Sequence, residues 1–171
     1  LRVLVEVNIG HNRCGAALGQ AVVDLAQRAQ AASHLRFAGI MGYEGHVVDL
    51  EDDAEREERA SECLRRLVDA RADIEAAGIA VGICSSSATG DYYISTRFDG
   101  ITEVQAGSYA LMDAAYGRLG LGFENALTVL TTVGSRPTSH QVITDAGLKS
   151  LTPEHGFPLV KDRNDLECHA L

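Results

Sequence analysis

The chain has 171 residues, a hydrophobic fraction of 46%, a formal net charge of −9 and a pI near 5.0. That length is enough for a domain with a real core. The acidic balance and the lack of a basic cluster argue against a nucleic-acid partner, and no apolar run approaches the ~20 residues that span a bilayer.

In chain order, the first expected strand is residues 2–7, and it runs into Asn8-Ile9-Gly10-His11-Asn12-Arg13-Cys14-Gly15. Residues 16–33 follow with helical spacing, Leu18, Val22, Leu25 and Ala29 forming the expected apolar stripe. A second strand, 37–41, ends in Gly42-Tyr43-Glu44-Gly45-His46. A long charged helix is predicted over 52–77, with Cys63, Leu64, Leu67 and Ile74 as its buried face. Its acidic start suits the positive end of a helix dipole, and Gly78 marks its end. A third strand, 79–84, runs into Ser85-Ser86-Ser87-Ala88-Thr89-Gly90-Asp91. A fourth, 101–105, breaks at Ala106-Gly107-Ser108 and enters a helix-like run reaching Arg118.

Strands alternating with helices predict an α/β protein with a parallel sheet. The pattern alone leaves an open doubly wound sheet and a closed barrel both open. Each strand ends in glycine, polar and aromatic residues, so the C-terminal loops are expected to build one site. In the fourth loop, Gly107 permits close backbone approach, and the N–H groups that follow offer an anion cradle. After about Gly122 the pattern changes. Residues 126–133, 141–144 and 157–160 read as strands without long helices between them, with a turn at Asp145-Ala146-Gly147, as in an antiparallel β domain.

The four cysteines, Cys14, Cys63, Cys84 and Cys168, lack CxxC spacing, and no signal peptide is visible; both point to a reducing cytoplasm. The chain begins at Leu1 inside a strand and stops at the start of what reads as another element. It is therefore expected to be an interior piece of a longer protein.

The four loops together carry a resemblance. Asn12-Arg13-Cys14-Gly15, Gly39-Ile40-Met41-Gly42-Tyr43-Glu44-Gly45, Thr89-Gly90 and Glu103-Val104-Gln105-Ala106-Gly107-Ser108-Tyr109 are its main pieces. Met112-Asp113, Tyr116, Thr131-Thr132-Val133, Ser135-Arg136-Pro137 and Asp145-Ala146-Gly147-Leu148-Lys149 extend it. The chain resembles the D-threonine aldolase and D-serine dehydratase group of pyridoxal-phosphate enzymes, which have the alanine-racemase-like fold.

The resemblance implies the C-terminal half of a (β/α)8 barrel over residues 1–122. The start of an antiparallel β domain would occupy 123–171. It implies a lyase on D-β-hydroxy-amino acids of the D-threonine aldolase type, giving glycine and an aldehyde. The alternatives are a D-serine dehydratase, giving pyruvate and ammonia, and a non-catalytic pyridoxal-phosphate-binding barrel. The Schiff-base lysine is expected upstream and the ligands of a divalent metal (manganese or zinc) downstream, so the chain itself supplies neither a catalytic residue nor a metal ligand. Its part is cofactor binding. Thr89, Gly90, Gly107, Ser108 and Tyr109 would hold the phosphate. Arg13 would face the ring O3′, Tyr43 would stack on the ring or line the substrate pocket, and Gln105 would face the pyridine nitrogen. The implied partner is a small D-amino acid, with no nucleic acid and no membrane, in a cytoplasmic homodimer when full length. The 171-residue chain alone is expected to be inactive.

Overall fold

A computed structural model describes residues 1–169. They divide into two compact units, the first Leu1–Tyr109 and the second from Ala110 onward. The boundary expected at residue 122 falls inside the second unit.

In the first unit, β1 (Arg2–Val7), β2 (Arg36–Gly42), β3 (Ile83–Ser86) and β4 (Glu103–Val104) form one parallel sheet in the order β1-β2-β3-β4. A doubly wound sheet reverses its winding at a switch point; this one does not, which is the order of a barrel. The two long connections carry α1 (Gln20–Ala31) and α2 (Asp53–Ala76). Right-handed crossovers put both on the same face of the sheet. There Val5, Val7, Ile40 and Cys84 meet Val22, Val23 and Ala26 of α1 and Cys63, Leu67, Ala70 and Ile74 of α2. The opposite face carries Glu6, Met41, Ser85 and Glu103 in one register row.

The four apolar residues expected to line α2 are all buried. Asp52 caps this helix, accepting the Glu55 N–H at 2.8 Å, as its acidic start suggested. The stripe of α1 differs from expectation. Leu18 and Leu25 are exposed at 44% and 40%, while Val22, Val23, Ala26 and Ala29 are buried. Ala26, rather than Leu25, packs in the core against the sheet.

Residues 79–82 lie outside β3, because the paired register starts only at Ile83. The run after Ser108 is not a continuous helix. It is a 3₁₀ turn, Ser108–Ala110, followed by a one-turn helix α4 (Ala114–Gly117) capped by Asp113. A helix dipole at Gly107-Ser108 is therefore absent, and only individual backbone donors remain. A last short helix of the first unit, α3 (Tyr92–Ser95), follows the β3 loop.

Between β1 and β2 the register slips by one residue, since Val3 pairs Phe37 but Leu4 pairs Gly39. Ala38 is the extra residue of a bulge, so Phe37 and Ile40 both pack on the helix side. Gly39 makes the bulge possible. Its φ is +152°, and a Cβ there would stand 1.9 Å from the Ile83 carbonyl oxygen of the neighbouring strand.

In the second unit, β5 (Val133–Thr138) and β6 (Gln141–Thr144) form an antiparallel hairpin. Asp145 ties its end, accepting the Thr131 hydroxyl and the Thr132 N–H, each at 2.8 Å. Residues 126–132 and 157–160, expected as strands, carry no ladder pairing here.

Gly39→Ala is expected to destabilise the first unit by about 1–3 kcal/mol or more, because the β2–β3 ladder must part to admit the methyl group. Gly82→Ala, whose Cβ would meet its nearest neighbour at an ordinary 3.4 Å, should change stability little. Chemical denaturation of both variants checks the contrast.

Candidate functional site

All four C-terminal strand ends carry polar loops, and each loop has a local reason for its shape. After β1, Asn8 Oδ1 accepts the N–H groups of Gly10 and Asn12, both at 3.1 Å, and Asn8 Nδ2 donates to Asn12 Oδ1 at 3.0 Å. This Asx-type wrap holds Asn12 at φ +56° and sends Arg13 outward. The Arg13 guanidinium lies 5.2 Å from the Tyr43 ring centroid, a cation–π contact between the first and second loops. His11 stacks on His46 and meets Tyr43 edge-on, each with centroids 5.6 Å apart. Burial pushes the Tyr43 phenol up, and the Arg13 charge opposes it. Burial, then His11 and Arg66, hold His46 below the usual imidazole range.

The third and fourth loops are joined directly. The Tyr109 N–H donates to the Thr89 hydroxyl oxygen at 2.9 Å. That oxygen is used as an acceptor, so the hydroxyl proton is free to be donated outward. Among the described residues, the N–H groups of Gly90, Gly107 and Ser108 make no hydrogen bond. Gly90 is packed so closely that a Cβ would lie 1.7 Å from the Val48 carbonyl oxygen. The region around Gly107 is open. A cluster of unspent backbone donors with two hydroxyls and no cation is a donor set suited to a phosphate. The residues present therefore fit the phosphate group implied by the resemblance.

Gln105 follows β4. Its Nε2 lies 2.8 Å from Ser85 Oγ, and Ser85 donates to Glu103 Oε1 at 2.7 Å. The direction of this chain is fixed from its carboxylate end. Glu103 can only accept, so Ser85 must donate to it and accept from the Gln105 amide. The carbonyl oxygen of Gln105 is left as its open group.

The structure thus puts Arg13 with Tyr43, and Thr89 with Tyr109, Gly90 at its side and Gly107 and Ser108 in the same turn. Gln105 is oriented by a neighbouring strand. Two further acids were not singled out from the sequence. Glu44 and Asp91 are completely buried. Ser86 Oγ lies 2.7 Å from Glu44 Oε2 and 3.0 Å from the Gly42 carbonyl oxygen. Asp91 Oδ1 accepts the Ala88 N–H at 2.8 Å and the Ser87 hydroxyl at 3.1 Å. The remaining oxygens, Glu44 Oε1 and Asp91 Oδ2, find no donor, although the two side chains are hydrogen-bonding neighbours. Burial first, then the contact with Asp91, pushes Glu44 up to about 9. The only sequence signal was position, since both acids directly follow strands. Among the described residues, no group of three or more His, Cys, Asp or Glu side chains could hold a metal ion.

The family profile described as alanine racemase, N-terminal domain, matches residues 1–115. The chain belongs to that family. In this alanine-racemase-like chain a second profile, putative serine dehydratase domain, matches residues 126–170. A D-threonine aldolase of Arthrobacter sp is 41% identical over 92% of the chain and 43% of its own length. A 3-hydroxy-D-aspartate aldolase of Paracoccus denitrificans (strain Pd 1222) is 35% identical over 98% of the chain and 46% of its own length. The crystal structure of D-threonine aldolase from Filomicrobium marinum superposes with a TM-score of 0.92 at 36% identity, covering 96% of this chain and 45% of that one. The chain thus spans somewhat under half the length of these relatives.

The buried acid has a consequence for stability. Glu44 holds a proton in the fold up to about 9, whereas an unperturbed glutamate loses it near 4.5. Between those values the folded state binds more protons than the unfolded state, so stability falls as pH rises, by at most about 1.4 kcal/mol per pH unit. Glu44→Gln removes this slope. Denaturation midpoints of variant and wild type should separate progressively towards alkaline pH, with the variant the more stable.

Proposed function

We propose that this chain is the cofactor-phosphate half of a pyridoxal-phosphate-dependent lyase acting on D-β-hydroxy-amino acids, of the D-threonine aldolase type. The observation that carries this reading is the likeness to D-threonine and 3-hydroxy-D-aspartate aldolases along nearly the whole chain. The unspent donors at the strand ends support it from the chemistry. Residues 1–122 would be the second half of the cofactor barrel, and 123–171 the opening of the β domain.

Bound pyridoxal phosphate supplies the electron sink for bond cleavage at the amino acid's α-carbon. This chain's residues bind and orient. Thr89 would donate its hydroxyl, and Gly90, Gly107, Ser108 and Tyr109 would offer N–H or hydroxyl groups to the phosphate. The positive charge of Arg13 would favour an ionised ring oxygen. Tyr43, covered on one side by Arg13, offers its ring for stacking or as a wall of the substrate pocket. Gln105 would face the pyridine nitrogen and offer it a neutral amide, which brings no charge to the ring. The lysine for the cofactor and the ligands of a divalent metal (manganese or zinc) would come from the rest of the protein. Among the described residues, no group of three or more His, Cys, Asp or Glu side chains forms such a site. The protein would work as a homodimer in the cytoplasm, where the free thiols Cys14, Cys63, Cys84 and Cys168 stay reduced.

A second reading, dehydration of a D-hydroxy-amino acid, is favoured by the serine dehydratase profile over residues 126–170. Product analysis of the full-length protein separates the two. Glycine with acetaldehyde from D-threonine, and nothing from L-threonine, is the expected result. Pyruvate and ammonia from D-serine without glycine from D-threonine would select the dehydratase. Racemised alanine with neither product would reject both.

Arg13→Ala should loosen the cofactor and slow turnover. Thr89→Val and Ser108→Ala should each weaken cofactor affinity by roughly 1 kcal/mol, about fivefold, as expected for one neutral hydrogen bond. Cofactor titration by absorbance measures both effects.

A further inference from the structure

We propose that Glu44 and Asp91 form a one-proton carboxyl pair that positions the loop from Ser86 to Gly90, so that the pair's charge state sets how tightly the cofactor phosphate is held. This rests on the pyridoxal-phosphate reading above and adds to it a pH-sensitive regulation of the same site.

The geometry comes first. Glu44 follows β2 and Asp91 follows β3, so a bond between them stitches two loops together. Each acid also grips the third loop by its other oxygen. Glu44 holds the Ser86 hydroxyl, and Asp91 holds the Ser87 hydroxyl and the Ala88 N–H. Ser87 sits at φ +83°, a left-handed conformation that a serine keeps only when it is held there. Directly beyond it stand Thr89, bonded to the Tyr109 N–H, and Gly90, wedged against Val48. Every residue from Cys84 to Asp91 is buried. The loop has no slack in which Thr89 could move independently of the two acids.

Two fully buried, neighbouring carboxyl groups, each with one oxygen that has no donor, cannot both be ionised at low cost. The groups that face them do not relieve this. Cys63, packed from α2, is held up to about 11 by burial first, with the two acids adding to the effect. Tyr43, from Glu44's own loop, is likewise held up, and Arg13 faces that ring rather than the pair. Arg66 of α2 is paired with Glu62 and with the Ile9 carbonyl oxygen. The strongest influences on Glu44 include no cation. Loss of the shared proton therefore leaves two facing negative charges. The direct relief is to swing Asp91 away, which releases Ser87 and Ala88 and displaces Thr89. A phosphate dianion held beside the loop is repelled at the same time.

The test uses the full-length protein, with pyridoxal phosphate as the probe. Its dissociation constant is measured against pH for the wild type, Glu44→Gln and Glu44→Ala. In the wild type, affinity should fall by about tenfold per pH unit once the pair titrates. Glutamine supplies both a donor for Asp91 and an acceptor for Ser86, so Glu44→Gln should remove that alkaline limb. Glu44→Ala should loosen the cofactor at every pH. Infrared difference spectra supply a readout independent of activity: a protonated-acid carbonyl band should persist above neutral pH in the wild type and be missing from Glu44→Gln. If Glu44→Gln folds poorly, the wild-type band still decides, since it should vanish over the same pH range in which affinity falls. An unchanged alkaline limb in well-folded Glu44→Gln, or no acid band in the wild type at neutral pH, overturns the pair and leaves the cofactor reading standing. A wild type that binds no pyridoxal phosphate at any pH overturns the cofactor reading, and this proposal with it.

Discussion

Parallel pairing of neighbours in chain order is the constraint on which the rest of the first unit depends. When β1, β2, β3 and β4 lie side by side in that order, every strand ends on the same side. Every helix is then driven to the same face by the handedness of its crossover. One face of the sheet becomes the apolar seat of α1 and α2. The other is left to Glu6, Met41, Ser85 and Glu103, a largely polar row that a helix could not cover. The loops inherit their proximity from this arrangement. Arg13 meets Tyr43, and Thr89 meets Tyr109, because successive strands deliver them to adjacent places.

The same constraint explains which parts of the fold were legible in the sequence. The residues that seat α2 on the sheet were readable because a long helix repeats its pattern often enough to show one face. α1 is shorter and its buried face uses alanine, so Leu25 on its exposed side and Leu18 before its start gave a misleading stripe. The start of β3 was misplaced because residues 79–81 are apolar for a different reason: Ile79 and Val81 are buried in the core before the ladder begins. Hydrophobicity reports burial there, not pairing. In the second unit, short β-rich runs without paired partners read like the hairpin strands beside them, since propensity says little about which segments find a partner.

The sequence offered candidate site residues where chemistry is written in residue type, as with the glycines, the hydroxyls and Arg13. It was not legible where chemistry arises from burial. Glu44 and Asp91 are ordinary surface-type residues in the sequence, and nothing in their neighbours announces full burial. Their character comes from facing each other across two loops forty-odd residues apart. The third loop shows the same effect. Its run of serines reads as a polar turn, yet Ser85, Ser86 and Ser87 are all buried, each bonded to a carboxyl group.

The chain from Glu103 through Ser85 to Gln105 runs in one direction only. A carboxylate at its origin means that each later group has a single way to face. If residue 103 were a neutral amide, the chain could run either way at similar energy, and residue 105 would present oxygen in some molecules and nitrogen in others. Glu103, two residues from Gln105 along the strand end, thus acts as the polarity setter for what that amide offers a ligand.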